Sequence, residues 1–260
     1  MKAGGGILGL IVVIAALVLP KLLGGGSQTL TGTGDPGPTD DGTGAVQCST
    51  QIEQIMCGAV DDVSGYWIGE YPQVWNAPYR EAETVFYSGG INTGCGQASA
   101  QVGPFYCPAD SLVYFDLDFL VQMQQQFGAT GDLAAQYIVA HEYGHHVQNL
   151  LGVSSDVSRL QQQYPDQANQ YSVALELQAD CFAGAWASSA DQRGLLEPGE
   201  ISEALNAATA VGDDRIQQQA GMTVNPDSFT HGSSEQRVSW FRRGYDTGDP
   251  ARCTTFDELL

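Results

Sequence analysis

A cluster of histidines near the middle of the chain carries the most specific chemistry in the sequence. The stretch AHEYGHHVQ, residues 140–148, holds three of the four histidines of the protein, with a glutamate after the first. It contains the pattern HExxH, which places His141 and His145 one helical turn apart on the same side of a helix. Two imidazoles in that arrangement bind one metal ion, and zinc suits neutral imidazoles joined by a carboxylate. The pattern therefore predicts one Zn²⁺ per chain, with His141 and His145 as ligands.

The glutamate inside the pattern has a different predicted role. Glu142 follows the first ligand on the helix, where its carboxylate can act on a water at the open position of the ion without binding the ion. We therefore expect Glu142 to be the general base of a hydrolytic reaction. His146 follows the second ligand and points away from the ligand side, so it is expected to be structural or to support a ligand. A chance occurrence of HExxH is the alternative, and it is rare in a chain with so few histidines.

A third ligand is predicted on the next long helical segment. Glu176 and Asp180 lie four residues apart in ELQAD and share one side of a largely apolar helix. Unpaired carboxylates are costly in apolar surroundings, so both need a partner. Glu176 is expected to complete the zinc site, and Asp180 to orient one of the ligand imidazoles. A solvated helix edge is the alternative explanation for the two acids.

The elements that must position these residues follow from the spacing of apolar side chains. Residues 133–152 have helical periodicity and end near a glycine, which predicts the helix that carries HExxH. Aromatic and β-branched stretches at residues 84–89 and 104–116 predict strands, the second of which Pro-Ala-Asp divides into a hairpin or bulge. The predicted fold class is α+β, with a small N-terminal antiparallel sheet and a mostly helical remainder. Further helical patterns occur at residues 52–63, 156–164, 171–190, 201–219 and 233–246.

An apolar run, GGGILGLIVVIAALVLP, lies near the N-terminus between two lysines. A helix of about 17 to 20 such residues can span a bilayer. The run lacks the small-x-small site of a cleaved signal peptide, which is the alternative. We predict a single transmembrane anchor at residues 1–23, a flexible Gly/Thr/Asp/Pro linker at 24–45 and a catalytic domain at 46–260. The basic N-terminus narrowly favours a location at the cell membrane with the catalytic domain on the extracytoplasmic side.

The charge balance excludes one class of partner. The chain has 30 acidic and 10 basic residues and a formal net charge of −20. Such an acidic surface repels phosphate backbones, so a nucleic-acid partner is not expected. The charge is instead typical of a surface that stays soluble.

The cysteines are six in number and all lie outside the apolar run. Without CxxC spacing they do not resemble a zinc ribbon or a redox site, and in an exported chain disulfides are expected. Many connectivities are open for six cysteines, and buried free thiols are the alternative. The most local set of pairs is Cys48 with Cys57, Cys95 with Cys107, and Cys181 with Cys253.

Longer stretches around these residues resemble a known family. The segments GPFYCPAD, VAHEYGHHVQ, ELQADCFAG and DSFTHGSSEQRVSWFRRGYDTGDP are similar to the bacterial neutral zinc metallopeptidases, and the resemblance extends over residues 84–256. HEYGHH followed by ELQAD also has the gluzincin arrangement, in which the glutamate of an ExxxD helix completes HExxH. The resemblance implies a zincin-like fold and hydrolysis of peptide bonds. Cys48 and Cys57 look like an addition to the family pattern.

The resemblance also implies roles for later residues. Gluzincins place a histidine from a later segment against the oxyanion of the reaction, and the region of Thr230 and His231 resembles that element. His231 is therefore expected to be catalytic by stabilising the oxyanion, with an ordinary surface histidine as the alternative. Arg237 is expected to fix the nearby carboxylates. By analogy with zincins, the strand around residues 103–107 is expected to present its edge to an extended peptide.

The predicted function is that of a membrane-anchored zinc metallopeptidase. Its predicted partners are a peptide or protein substrate and, through the N-terminal helix, the lipid bilayer. Two other functions fit the same residues: a zinc amidase that acts on cell-wall material, and a catalytically inert zinc-binding surface protein. Glu142 argues against the inert protein, which has no need of a general base. The amidase is not distinguished, because the same chemistry attacks any amide carbonyl.

Overall fold

The computed structural model describes residues 48–99, 102–121 and 132–259. The predicted anchor at residues 1–23 and the predicted linker at 24–45 lie outside the described residues. Within the described part of the chain, no helix has both the length and the apolar character needed to cross a membrane. The fold is α+β, with small sheets followed by a mostly helical C-terminal part, as the sequence predicts.

The first helix, α1 (Gln51–Trp75), is set by a local signal at its start. Thr50 and Glu53 form a capping box, in which each side chain accepts a hydrogen bond from the backbone N–H of the other residue. Beyond the cap, apolar residues recur every three to four positions and give the helix one buried side. The buried side chains are Met56, Ala59, Val63, Trp67 and Tyr71.

The strands that follow are β1 (Glu83–Tyr87), β2 (Gly90–Thr93), β3 (Gly96–Ser99), β4 (Phe105–Cys107) and β5 (Leu112–Asp116). β1, β5 and β4 form a three-stranded sheet in that order, while β2 and β3 pair as a separate antiparallel hairpin. The predicted antiparallel pairing holds between β4 and β5, but β1 and β5 are parallel. The prediction is wrong for that pair because the chain between them returns through three further strands, and β5 then enters the sheet in the direction of β1.

The helices that follow the sheet occupy most of the remaining chain. The prediction of one helix at residues 201–219 is wrong, because the backbone of Gly212 is extended (φ −71°, ψ 140°) and divides the segment. Any side chain at Gly212 would collide with Ser234. The helices are α2 (Leu133–Leu150), α3 (Val153–Gln163), α4 (Ala168–Gln192), α5 (Glu200–Ala210), α6 (Asp213–Gln219), α7 (Ser234–Thr247) and α8 (Thr255–Leu259).

Helix α4 is the centre of this helical part and packs against both α2 and α7. The crossing with α7 is unusually close because Gly184 of α4 and Gly244 of α7 lie at it. A methyl group added at Gly244 would overlap the carbonyl oxygen of Cys181, and one added at Gly184 would overlap that of Phe241. Backbone therefore lies against backbone at this crossing, which holds the N-terminal half of α7 beside the acidic residues of α4.

All six cysteines are paired in disulfides, in the most local of the arrangements that the sequence allows. The first bridge ties the chain before α1 to the helix, and the second ties the loop between β2 and β3 to strand β4. The third joins the middle of α4 to the segment before α8, across 72 residues. The pairs are Cys48–Cys57, Cys95–Cys107 and Cys181–Cys253.

Candidate metal centre

The predicted metal ligands come together between two helices. His141 and His145 lie one turn apart on α2, and Glu176 lies on the facing side of α4. The Nε2 atom of His141 is 3.3 Å from Glu176 Oε2, and Nε2 of His145 is 3.5 Å from Glu176 Oε1. One ligand atom from each residue lies within 4.8 Å of the other two, and all three residues are buried. This is the one group of possible ligands that converges in this way within the described part of the chain.

Unpartnered polar atoms at this point indicate that the group fits a metal ion. Among the described residues, no hydrogen-bond partner is present for three buried atoms here: His145 Nε2, Glu176 Oε2 and Glu142 Oε2. Buried polar atoms are almost always satisfied, so an unsatisfied cluster requires an explanation. Two imidazole nitrogens and a carboxylate are a donor set that catalytic zinc adopts, with one position left open. The residues present therefore fit Zn²⁺.

The first ligand is oriented by a buried ionic network. Asp180 Oδ1 is 2.9 Å from His141 Nδ1 and, as a carboxylate oxygen, accepts its hydrogen, so that Nε2 faces the other ligands. Arg237 of α7 donates from Nε to Asp180 Oδ2 at 2.7 Å and from Nη2 to Oδ1 at 2.9 Å. The hydroxyl of Tyr137, one turn before His141, donates to the same Oδ1 at 2.5 Å. The structure thus places Asp180 and Arg237 together behind the first ligand.

The second ligand has a neutral partner that the sequence did not predict. Nδ1 of His145 lies 2.8 Å from the side-chain oxygen of Gln148, three residues later on α2. Gln148 is fully buried. The two histidine ligands therefore have partners of different charge, a carboxylate for His141 and an amide for His145.

The three buried acids of the site differ in their electrostatic surroundings. Burial opposes ionisation of Glu176, but the adjacent imidazoles of His145 and His141 hold its pKa well below the usual range. Burial likewise opposes ionisation of Asp180, and Arg237 lowers its pKa. At Glu142 burial has the larger effect and raises the pKa of the carboxyl. Two acids are thus held as carboxylates, while the third is the one most suited to take up a proton.

His146 serves the packing of α2 against its neighbours. Its Nε2 donates to the carbonyl oxygen of Arg80 at 2.6 Å, and its Nδ1 lies 3.2 Å from the hydroxyl of Tyr106 on β4. That hydroxyl donates to Nδ1 and accepts a hydrogen bond from Asn149 on α2 at 2.8 Å. The two ring nitrogens of His146 therefore join α2 to the segment before β1 and to β4.

His231 lies in the loop between α6 and α7, which Asp213 holds in shape. Oδ2 of Asp213 accepts hydrogen bonds from the backbone N–H groups of Thr230, His231 and Gly232, and Oδ1 lies 3.0 Å from His231 Nδ1. Gly232 packs near Val173 and Leu177, which flank Glu176 on α4. The loop is thus fixed on the helix that carries the third ligand, but His231 is not among the converging ligand atoms.

Comparison with known proteins agrees with this arrangement. The family model described as "Putative neutral zinc metallopeptidase" matches residues 1–256. The chain belongs to this family. It is similar to the uncharacterized protein YpfJ of Escherichia coli (strain K12), with 46% identity over 259 residues, which cover 97% of this chain and 88% of that protein. It is also similar to the uncharacterized protein Rv2575 of Mycobacterium tuberculosis (strain ATCC 25618 / H37Rv), with 51% identity over 189 residues, which cover 68% and 63% of the two chains. No solved structure matches the chain.

In this member of the zinc metallopeptidase family, the sequence did not predict three residues that bond to the predicted site residues. Helical spacing alone could identify Tyr137 and Gln148, since each lies about one turn from a predicted ligand on the same helix. The sequence gives little indication that Asp213 contacts His231, because the two lie 18 residues apart and the contact depends on how the chain folds between them.

Proposed function

We propose that the protein is a zinc-dependent peptidase anchored in the cell membrane by residues 1–23, with its catalytic domain, residues 46–260, on the extracytoplasmic side. The observation that supports the hydrolytic function is the buried convergence of His141, His145 and Glu176, together with the unpartnered Oε2 of Glu142, the residue after His141. The family supports one catalytic zinc ion per chain. The apolar N-terminal run and the three disulfides support export and anchoring.

The side chains of the site divide the chemistry among them. Zinc, when bound, would act as a Lewis acid that polarises the scissile carbonyl and lowers the pKa of a water. Glu142 takes the proton from the attacking water and returns it to the leaving amine. Asp180 holds His141 in the tautomer that leaves Nε2 free, and Arg237 holds Asp180.

We assign His231 the role of stabilising the negative charge that develops on the carbonyl oxygen of the substrate. The carboxylate of Asp213 accepts from Nδ1–H of the ring, so that in the protonated imidazole Nε2–H remains to donate. A loop that is fixed before the reaction needs little reorganisation when the charge appears. The three backbone hydrogen bonds from the loop to Asp213 supply that rigidity.

The substrate is expected to lie along strand β4, in the manner of a zincin-like fold. β4 is an edge strand of its sheet, and an edge is where a further strand can pair. Its residue Tyr106 contacts the HExxH helix through His146 and Asn149, and its backbone N–H also bonds to Glu142. The disulfide between Cys95 and Cys107 fixes the end of the strand. An extended peptide paired with β4 would pass in front of the ligands.

The test uses the full-length chain in detergent micelles, loaded with zinc and incubated with a diverse peptide library and, separately, with purified cell wall. Glu142→Gln keeps size and hydrogen bonding, so zinc content and folding should be nearly unchanged while hydrolysis falls about 10²- to 10⁴-fold. His145→Ala, the matched ligand variant, should lose the metal. Hydrolysis of cell wall but not of peptides would identify the amidase instead, and no hydrolysis of either would identify the inert binding protein.

His231→Ala separates the predicted oxyanion role from a ligand role. The variant should keep its zinc, because His231 is not among the converging ligand atoms. Removing one donor to a developing oxyanion typically lowers kcat about 10²- to 10³-fold. Unchanged kcat with zinc retained would contradict the role, and loss of zinc would make His231 a ligand.

A further inference from the structure

We propose that Gln148 is the positioning residue of the second metal ligand. Its amide oxygen accepts the Nδ1 hydrogen of His145 and so fixes the tautomer in which Nε2 offers a lone pair to the ion. This inference rests on the zinc site of the proposed function and adds a residue that neither HExxH nor ExxxD contains. It follows from the direction of hydrogen bonds in the core behind His145.

The orientation of the Gln148 amide is fixed by a backbone carbonyl. Nε2 of Gln148 lies 2.7 Å from the carbonyl oxygen of Leu175, which can only accept. The nitrogen must therefore be on that side, and the oxygen must face Nδ1 of His145 at 2.8 Å. Because an amide oxygen also only accepts, Nδ1 of the neutral ring must carry the hydrogen. Nε2 of His145 then has a lone pair and no proton, and it is the atom found without a hydrogen-bond partner among the described residues.

A second buried glutamine extends the same chain and gives it one direction. Gln148 Nε2 also donates to the side-chain oxygen of Gln178 at 3.0 Å, and Gln178 Nε2 donates to the carbonyl oxygen of Cys253 at 2.8 Å. Cys253 is tied by its disulfide to Cys181 of α4. Donation therefore runs in one direction, from Nδ1–H of His145 through the two amides to the carbonyl oxygen of Cys253. Rotating either amide by half a turn would set oxygen against oxygen, so the arrangement is unique.

An amide suits position 148 better than a carboxylate. Behind His141 the negative charge of Asp180 is offset by Arg237 at hydrogen-bond distance. Gln148 faces two oxygen acceptors, on Leu175 and on Gln178, and a carboxylate there would be repelled by both. The neutral amide orients the second ligand without adding a buried charge to the site.

The first experiment measures zinc affinity of the full-length chain in detergent by competition with a chromophoric chelator. Gln148→Leu keeps the volume and removes the acceptor, and loss of such an outer partner typically lowers metal affinity about 10- to 100-fold. Gln161→Leu is the matched control, because Gln161 Nε2 also bonds to a backbone carbonyl and a side-chain oxygen, but those of Ala168 and Ser172, which are not ligands. The control should bind zinc as the parent does. Equal affinity of Gln148→Leu and the parent would overturn the inference.

A third variant distinguishes positioning from a structural role. Gln148→Glu retains an oxygen toward Nδ1 of His145 but disturbs the contacts with Leu175 and Gln178. Gln148→Glu should therefore bind zinc more tightly than Gln148→Leu, although its free energy of unfolding is lower than that of Gln148→Leu. If zinc affinity follows the free energy of unfolding across both variants, Gln148 is merely structural and the inference fails.

The second experiment determines directly which ring nitrogen of His145 binds zinc and which carries the hydrogen. The ¹⁵N resonances of the histidines in the zinc-loaded parent should show His145 bound through Nε2, with a slowly exchanging hydrogen on Nδ1. Zinc bound through Nδ1, or Nδ1 without a hydrogen, would overturn the inference even if Gln148→Leu does not fold. A parent chain that binds no zinc would overturn the proposed function together with the inference. Zinc binding with an unaffected Gln148→Leu variant would overturn the inference alone.

Discussion

Arg237 carries a full positive charge with 2% of its surface exposed, and its guanidinium forms an ion pair with Asp180. Replacing it by leucine would leave that carboxylate buried, with the two guanidinium hydrogen bonds at 2.7 and 2.9 Å removed. Removing one partner of a buried ion pair typically costs about 3–5 kcal/mol. For a chain of this size about 1 kcal/mol shifts Tm by roughly 2–4 °C. We therefore expect Arg237→Leu to lower Tm by roughly 6–20 °C.

The assay is thermal and urea unfolding of the full-length chain in detergent, without reductant and with a chelator present, so that lost zinc contributes nothing. Arg243→Leu is the matched control. Arg243 lies on the same helix and pairs with Glu258 at 2.6 Å, but this pair is open to solvent. Exposed ion pairs contribute little, so this control should unfold close to the parent.

A double replacement tests the physical reason for the loss. Arg237→Leu combined with Asp180→Leu removes both charges, and apolar replacement of a complete buried pair is often neutral or stabilising. The double variant should therefore be more stable than Arg237→Leu alone. The reasoning is refuted if Arg237→Leu is no less stable than Arg243→Leu, or if the second replacement lowers the free energy of unfolding further.

Two more predictions concern the loop and the helix crossing. Asp213→Ala leaves three backbone N–H groups of the His231 loop without their acceptor, which should cost about 1–3 kcal/mol and lower kcat in the direction of His231→Ala while zinc is retained. Unchanged kcat in that variant would show that Asp213 does not position the loop. Gly244→Ala places a methyl group into the carbonyl of Cys181 and 2.8 Å from another backbone atom, which should cost about 1–3 kcal/mol in urea unfolding. Its control is Gly65→Ala in α1, where no atom lies within 4 Å and a gain of about 0.5–1 kcal/mol is expected; equal stability of the two variants would contradict the close crossing.

The residues of HExxH could be found from the sequence because their relation is local. Helical geometry alone puts positions i and i+4 on one side, so His141 and His145 converge wherever the helix lies in the fold. The same local rule places Glu142 beside them and predicts that Glu176 and Asp180 share a side of α4. The capping box at Thr50 likewise lies entirely within one turn.

The direction of β1 relative to β5 could not be predicted from spacing within a single strand. An alternating pattern identifies a strand and its buried face, but it contains no information about which neighbour the strand will pair with. The parallel pairing of Thr84 with Val113 depends on the path of the whole segment between them. The division at Gly212 likewise involves a distant residue, since Ser234 of another helix lies against the extended backbone there.

The sequence by itself determined the family and the candidate residues of the site, because these depend on residue type and on spacing within each helix. Only the tertiary structure decided how the helices meet. The 3.3 and 3.5 Å approaches of Glu176 to the two histidines, and of Arg237 to Asp180, join residues far apart in the chain. Such distances follow from the packing of α2, α4 and α7 around backbone contacts at glycines, and packing depends on all the facing side chains at once.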